Sequence, residues 1–381
     1  MKIKDFQICI NCVMDTTDSN IKFNNKGLCD HCQNFQLNLQ NIFLENTDKS
    51  EKKIQKISKK IKKNKNKNGY DCILGLSGGV DSSYLAHYVV KMLELNPLVV
   101  HVDTGWNSIE SVHNIEKIID KLSLDLHTEV INWREMKDLQ LAFFKATHPN
   151  LDIPQDHAIW ASIHKIAVKN NIKYLLTGGN FSTECIREPL EWSYHASDVK
   201  HIKDIHSRFG RIPLKNFPLI SIYRYKIFYK YFYGLNILQP LNFIKFNKNE
   251  AINFLEKEYG WKKYSHKHYE SRFTKFFEGF WLRKKFNFDV RKIHYSSLIL
   301  TNQITRNEAL ELLKKNPYND DDINNEIRYI KSKLDISDND FQEYLEAPNK
   351  SFTNYKSDYH IIQMFIRIFR FFKIEKRLIR K

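Results

Sequence analysis

The stretch "ILGLSGGVDSSY", residues 73–84, changes character in its middle and decides the fold. An apolar run of strand length gives way to Ser-Gly-Gly, and a pattern typical of a helix then resumes. Two glycines let a backbone approach an anion closely, and the N-terminus of a following helix points unpaired N–H groups at it. The stretch therefore predicts a phosphate-binding loop. We expect this loop to bind through Ser77, Gly78, Gly79, Val80, Asp81, Ser82 and Ser83.

Apolar runs of strand length recur along the chain and alternate with helical stretches. The runs are residues 71–76, 97–103, 124–131 and 172–178. Such alternation is typical of an α/β fold, in which a doubly wound parallel sheet is covered by helices on both faces. Ligands of these sheets bind beyond the carboxyl ends of the strands, so the residues that follow each run are the ones to inspect.

The loop lacks the lysine of a Walker loop, because the sequence contains no G-x-x-x-x-G-K-[ST]. Its S-G-G-x-D-S pattern resembles instead the PP-loop of the ATP pyrophosphatases, which cleave ATP between the α- and β-phosphates. This resemblance implies that ATP is bound, that the loop holds the departing pyrophosphate, and that Asp81 helps to place Mg²⁺.

Two later segments resemble the same superfamily. "HVDTGWN" is similar to its second-strand segment, which implies that Asp103 lies beside adenosine. "GGNFSTE" is similar to its G-x-N-x-x-x-E segment, which implies that Gly178 lies at the nucleotide and that Asn180 and Glu184 serve the metal or the adenylated intermediate. The residues alone leave another interpretation open, in which Asn180 makes an Asx-turn and Glu184 caps a helix.

Two Cys-x-x-Cys pairs near the N-terminus predict a metal site. Sixteen residues separate the pairs, and four thiolates complete a tetrahedral zinc shell with no open position. A segment of this size cannot bury enough apolar surface to fold alone, so Zn²⁺ here is expected to be structural. An iron–sulfur cluster is the alternative, and His31 is interpreted as a bystander. The predicted ligands are Cys9, Cys12, Cys29 and Cys32.

The formal charge of +16 is concentrated in two segments of the 381-residue chain. Residues 49–67 contain ten lysines and one glutamate, and residues 367–381 contain seven basic residues and one glutamate. The remainder is close to neutral, so no broad basic face and no nucleic-acid partner is expected. Without a signal-sequence pattern or an apolar stretch of about 20 residues, the expected location is cytoplasmic.

The order of motifs along residues 5–315 closely resembles the N-acetyl sugar amidotransferases of bacterial surface-polysaccharide and nonulosonate biosynthesis. The segments that carry this resemblance are "CINCVMDTTDSNIKFNNKGLCDHC", "SGGVDSSY", "INWREMKDLQLAF", "PQDHAIWASIHKIA", "TGGNFSTE" and "KHYESRFTKFFEGFWLRKKFNFDVRK". It implies that the acetamido oxygen of a sugar is adenylated by ATP, and that ammonia then replaces AMP to give an acetamidino group. An amide oxygen is a poor leaving group until AMP is attached, which explains the need for ATP.

This chain shows no means of making ammonia, because neither Cys72 nor Cys185 lies in a glutaminase-like context. The resemblance implies separate glutaminase and cyclase-like subunits. Residues 185–300 should form the sugar pocket, with Lys267 and Arg291 as preferred partners of a phosphate or carboxylate. A surface salt bridge or a core contact is the alternative for each residue of this region, which includes Arg187, Trp192, Tyr194, His195, His268, Glu270 and Lys285.

The chain from Tyr359 onward predicts a basic amphipathic helix, which would contact an anionic membrane, dock on a partner or pack on the chain itself. The rival functions are a tRNA-modifying PP-loop enzyme and a non-catalytic assembly scaffold. The expected divisions are a zinc ribbon (1–46), a lysine-rich linker helix (47–69), a PP-loop ATP pyrophosphatase core (70–185), a sugar-substrate region (186–315) and a helical extension (316–381).

Overall fold

The protein is described by a computed structural model that covers residues 5–40 and 48–372. The basic residues 373–381, where the sequence predicts the charged end of the last helix, lie outside the described residues, as do both edges of the predicted zinc ribbon. Five strands form one sheet, and their bounds are β1 (Cys72–Gly75), β2 (Pro97–Asp103), β3 (Leu126–Val130), β4 (Tyr174–Leu176) and β5 (Asn236–Leu238).

Helices account for most of the remaining described chain. Those of the first half are α1 (Asp30–Asn34), α2 (Asp48–Lys62), α3 (Val80–His87), α4 (Ile109–Leu122), α5 (Trp133–Lys145), α6 (Ile153–Lys169) and α7 (Phe181–Glu184). Those of the second half are α8 (Val199–Phe209), α9 (Lys248–Tyr259), α10 (Arg272–Phe276), α11 (Leu282–Phe286), α12 (Arg291–Leu300), α13 (Arg306–Lys314), α14 (Asp320–Leu334), α15 (Asp338–Glu346) and α16 (Tyr359–Phe371). Wider π-helical turns cover Phe35–Leu39, Tyr88–Met92, Arg224–Phe232 and Phe277–Trp281, and 3₁₀ turns cover Pro240–Phe243 and Phe352–Asn354.

The sheet is parallel throughout, with strands in the order β3-β2-β1-β4-β5. The α/β class and the four predicted strands are confirmed, while β5 was not predicted, because its three residues carry too short a pattern. β1 and β2 are almost entirely buried, as expected of central strands with helices on both faces. The strand order reverses between β1 and β4, and such a reversal marks the crevice where doubly wound sheets bind ligands.

The lysine-rich helix α2 packs on the core of the sheet domain. Its isoleucines Ile54 and Ile61 are buried, and the Ser58 hydroxyl donates to the Leu93 carbonyl at 2.9 Å. Most of its described lysine side chains lie at the surface. The helical part of the predicted linker is therefore an amphipathic helix of the domain, which keeps its positive charge in water.

Glycine at position 178 allows β4 to approach the loop after β1. A Cβ at Gly178 would lie 2.9 Å from the backbone nitrogen of Ser82, closer than side chains pack. The two strand ends at the reversal therefore meet without intervening side chains. No helix among the described residues is both long and apolar enough to cross a bilayer.

Candidate active site

The conformation of the loop after β1 is stabilised by three hydrogen bonds that are all donated to the Gly78 carbonyl. Gly78 has a φ of +82°, and a Cβ there would lie 2.6 Å from the Ser111 carbonyl oxygen, so only glycine fits. Its own carbonyl accepts from Trp261 Nε1 at 3.0 Å, from the Tyr264 hydroxyl at 3.2 Å and from Asn114 Nδ2 at 3.3 Å. These donors fix the peptide plane of the loop, and no local pattern could predict them because they come from distant elements.

The serine hydroxyls of the loop converge on its concave side. Ser77 Oγ lies 3.1 Å from Ser82 Oγ and accepts from the Gly79 backbone nitrogen at 3.3 Å. Ser77 Oγ also lies within 3.3 Å of Glu270 Oε1, to which it donates. A carboxylate oxygen therefore already rests against the loop, as an anion would in a phosphate nest.

A cavity of about 740 Å³ opens from the loop toward the helices of the C-terminal half. Its wall contains these predicted site residues: Ser77, Gly79, Val80, Asp81, Ser82, Gly178, Glu184, Lys267 and Arg291. Gly78, Ser83, Asp103 and Asn180 do not reach that wall, although each belongs to a segment beside it. The structure thus brings together three strand ends and the segment 261–298, as one site requires.

Lys267 joins the loop to the turn after β4. Its Nζ lies 2.6 Å from Glu184 Oε1 and 3.4 Å from Asp81 Oδ2, and it donates to the Thr183 hydroxyl at 3.1 Å. Burial alone would lower the pKa of Lys267, but the two carboxylates outweigh it and raise that pKa, so the ammonium is charged. A fixed cation beside the loop is suited to binding pyrophosphate.

Asp81 has a second oxygen that fits a metal ion. Oδ2 faces Lys267, whereas Oδ1 is buried and has no hydrogen-bond partner within the described chain. A buried carboxylate oxygen without a donor is costly, and a cation beside it removes that cost. The residues present therefore fit Mg²⁺, which when bound would neutralise phosphate charge at this loop.

Two predicted site residues have local roles in this geometry. Asn180 is the N-cap of α7: its Oδ1 accepts from the Thr183 backbone nitrogen at 2.9 Å, and its Nδ2 donates to the Gly178 carbonyl at 3.0 Å. The turn is therefore held so that Thr183 meets Lys267. Asp103 accepts from the Gly105 backbone nitrogen at 2.7 Å, and the adjoining Val102 and Thr104 reach the cavity in its place.

Arg291 is buried and fully engaged within the fold. Its guanidinium makes a bidentate pair with Asp289, with Nη2 2.7 Å and Nε 3.0 Å from the carboxylate oxygens. Nη1 donates to the Lys315 carbonyl at 2.7 Å, and Nη2 to the Leu313 carbonyl at 3.3 Å, at the end of α13. These contacts favour the structural alternative over the expected role as a substrate anion partner.

The wider pocket prediction is realised in part. Trp192, His268 and Glu270 contribute to the cavity wall. Lys285 instead donates to the Leu345 and Ala347 carbonyls, at 3.0 and 2.6 Å, and Tyr194 donates to Asp198 at 2.6 Å. The aromatic and basic composition of this region therefore serves packing as well as the cavity.

The deep end of the cavity is lined by acids that the sequence did not single out. Asp156, on the first turn of α6, is enclosed by protein but exposes its side chain to the cavity. Burial, followed by the charge of Glu188, raises its pKa to about 7, and burial also raises the pKa of Glu188. The one feature of the sequence that could have indicated Asp156 is its charge within a helix whose other residues are mostly buried.

A histidine pair adjoins these acids. His268 Nδ1 lies 3.0 Å from Glu278 Oε1. Burial lowers the pKa of His268, but Glu278 outweighs this and raises it to about 9. Burial and the neighbouring His268 hold the pKa of His294 well below its usual value, with the rings edge to face at 5.2 Å. The pair therefore presents one charged and one neutral imidazole to the cavity near pH 7.

The four cysteines of the N-terminal segment converge as predicted. All four are buried, and their sulfur atoms lie within 4.8 Å of one another. The Cys9–Cys32 and Cys12–Cys29 sulfur separations are 3.8 and 3.7 Å, close to the edge of a tetrahedron with zinc–sulfur bonds of about 2.3 Å. The site fits a structural Zn²⁺, and His31 lies against Asp18 at 3.1 Å rather than among the ligands.

This cysteine site packs on the helix that lines the cavity. Arg306 donates to the Cys9 and Cys12 carbonyls at 2.9 and 3.1 Å, and the Val13 backbone nitrogen donates to Ser296 Oγ at 3.1 Å. Ser296 belongs to α12, which carries His294 on the cavity wall. The N-terminal segment therefore supports the active-site wall from behind.

Comparisons with known proteins agree with this arrangement. Residues 50–182 match the NAD synthase family, and residues 270–369 match the family described as the LPS biosynthesis protein WbpG-like, C-terminal domain. GMP synthase [glutamine-hydrolyzing] of Thermosipho africanus is 28% identical over 186 residues, which are 47% of this chain and 33% of that protein. The chain thus spans about a third of the length of this relative.

The parallel fold and the match of residues 50–182 are those of a PP-loop ATP pyrophosphatase domain. The same chain carries, over residues 270–369, a segment similar to the WbpG-like C-terminal domain. A PP-loop domain of this kind implies ATP and Mg²⁺ as its ligands.

Proposed function

We propose that this protein is an ATP-dependent amidotransferase that converts the acetamido group of an N-acetylated sugar, a precursor of a surface polysaccharide or nonulosonate, into an acetamidino group. AMP and pyrophosphate are the other products. One observation carries the proposal: the segments matched by the two families share one cavity. Glu270, at the start of the LPS-biosynthesis match, contacts Ser77 of the nucleotide loop at 3.3 Å, and Glu278 lines the far side.

The first step of the proposed reaction is adenylation. The acetamido oxygen bonds to the α-phosphorus of ATP, and the bond from that phosphorus to the bridging oxygen breaks, which releases pyrophosphate. The donors of the loop and the charged Lys267 stabilise the negative charge that develops on the leaving group. Glu184 and Asp81 hold Lys267 in position for this role.

The second step is attack by ammonia. Its nitrogen bonds to the adenylated carbon, the bond from that carbon to the AMP oxygen breaks, and AMP leaves with the electron pair. One proton of the attacking nitrogen must also leave. Asp156 is the proposed acceptor, because its carboxylate opens onto the cavity and its pKa of about 7 suits proton transfer near neutral pH.

Ammonia is proposed to come from separate glutaminase and cyclase-like subunits. Cys72 and Cys185 are both buried, and burial raises the pKa of the Cys72 thiol well above its usual value. Neither is therefore suited to act as an exposed nucleophile. The same burial weakens the tRNA-thiolation alternative, in which a reactive cysteine would carry sulfur.

The test is a substrate comparison with the purified full-length protein. It is incubated with ATP, Mg²⁺ and ammonium, and either a diacetamido sugar or bulk tRNA is added. We expect AMP to form only with the sugar, whose mass changes as expected for replacement of one oxygen by an NH group. AMP formation only with tRNA would overturn the proposal, and an absence of AMP with every substrate would favour the scaffold interpretation.

A further inference from the structure

Two segments without acidic residues lie side by side on the surface. They are the π-helical turn Arg224–Phe232 and the last described helix, α16. The ring of Tyr223, just before the turn, contacts Phe365 of α16 edge to face, with centroids 6.3 Å apart. The two segments are therefore neighbours on the surface at this ring contact.

This surface exposes several large apolar side chains. Phe232 is 77% exposed, Phe371 82%, and Tyr231 and Phe372 each 65%. Met364, Ile368 and Phe371 recur at helical spacing and so share one stripe of α16. We call the aromatic face the set Tyr223, Phe228, Tyr231, Phe232, Met364, Ile368, Phe371 and Phe372. Within the π-helical turn only Tyr229 is buried.

The two segments that carry the aromatic face contain basic but no acidic residues. Neither residues 223–238 nor residues 359–374 contain an aspartate or glutamate. Basic side chains in these segments include Arg224, Lys226 and Arg367, and the adjoining sequence 373–381 adds five basic residues against one glutamate. Large aromatic side chains among cations are the composition that inserts into the headgroup region of an anionic bilayer.

We propose that the aromatic face docks this protein on the surface of an anionic lipid bilayer. α16 has 13 residues, fewer than the roughly 20 that span the hydrocarbon core, so it would lie in the plane of the interface. The apolar rings enter the acyl boundary, and the basic side chains pair with the lipid phosphates. This inference does not depend on the proposed reaction, since no residue of the aromatic face lines the cavity.

The test is flotation of the full-length protein with vesicles of phosphatidylcholine, with and without phosphatidylglycerol. We expect binding only to the vesicles that contain phosphatidylglycerol, and weaker binding as salt is raised. Phe232→Gln/Phe371→Gln should reduce that binding by about tenfold or more. The matched control is Phe6→Gln/Leu37→Gln, which removes side chains 69% and 78% exposed in the N-terminal segment and should bind as the native protein does. Equal thermal melting of both variants would show that they fold.

Three results would overturn the proposal. One is the absence of binding to the anionic vesicles. Another is binding that the aromatic-face variant retains but that is lost when the chain ends at Phe372, since the basic terminal residues alone would then bind the lipid. The third is vesicle-free self-association that Phe232→Gln/Phe371→Gln dissolves, which would make the aromatic face an interface between two copies.

Discussion

The nucleotide loop and the opposite wall of the cavity differ in how far apart their residues lie along the chain. The loop is formed by seven consecutive residues, 77–83, which follow a buried strand and include the first turn of α3. The opposite wall combines Asp156 of α6, Glu188, Glu278 and His294 of α12. Local sequence can specify the first, whereas only the fold assembles the second. Substitutions in the loop and in the opposite wall are therefore expected to have different effects.

The largest effect is expected in the loop. Asp81→Asn removes the negative charge that faces Lys267 and the carboxylate oxygen that fits Mg²⁺, so AMP formation should fall by about 10³-fold or more. Asp103→Asn is the matched control, because the Asp103 carboxylate accepts from its own turn and does not reach the cavity wall. We expect it to change the rate by a few-fold at most. Equal losses in both variants, measured as AMP release, would contradict this view of the loop.

Loss of the cysteine site should destabilise the wall that includes α12 more than it disturbs the nucleotide loop. Cys12→Ser removes one of four converging sulfur ligands, and the carbonyls that bind Arg306 are held by the same segment. We expect zinc content to fall and the protein to lose about 3 kcal/mol or more of stability. Zinc is measured by metal analysis, and unfolding by denaturant titration. A variant that keeps its stability and loses no zinc would contradict a structural metal here.

Much of the fold was predictable from the sequence because it rests on short-range patterns. Buried parallel strands are continuous apolar runs, and the Ser-Gly-Gly turn must be local to bind an anion. The sequence predicted Asp81, Glu184 and Lys267 as separate site residues, but it did not predict that they contact one another. The sequence could not separate the cations of this region, because the fold brings Asp81 and Glu184 to Lys267 but backbone carbonyls to Lys285 and Arg291.

Lys267 and Arg291, the two cations that the sequence singled out, offer the sharpest comparison between side chains. Lys267→Met should lower AMP formation about 100-fold, because its Nζ contacts the loop and the turn after β4 at the cavity. Arg291→Met removes the guanidinium from Asp289, which keeps Arg283 at 3.4 Å, and from three backbone carbonyls, and it should cost about 3 kcal/mol in unfolding free energy. KM for ATP should remain unchanged in the folded fraction of Arg291→Met. The reverse pattern would restore Arg291 as a substrate partner.

The smallest effect, and the most specific, concerns Asp156. An exposed aspartate has a pKa near 4, and burial in the cavity, followed by Glu188, raises that of Asp156 to about 7. Between these values the folded protein holds a proton that the unfolded chain has released, so this group makes stability fall as pH rises through that window. Asp156→Asn cannot titrate. It should therefore unfold at a higher denaturant concentration than the native protein above pH 7 and lose part of the pH dependence below it.

The Asp156→Asn variant also tests whether Asp156 accepts a proton in the reaction or only contributes to packing. If Asp156 accepts the proton from ammonia, the native rate at a fixed concentration of free ammonia rises through about pH 7, as the carboxylate forms. Asp156→Asn should lower this rate about tenfold at pH 8 and flatten that rise, while exchange of pyrophosphate into ATP, which reports adenylation alone, continues. Glu188→Gln is the control, since its charge raises the pKa of Asp156 and its removal should move the rise to lower pH. A rise that persists unchanged in Asp156→Asn would assign the proton to another group, and His294, held neutral on the same wall, would be the next residue to replace.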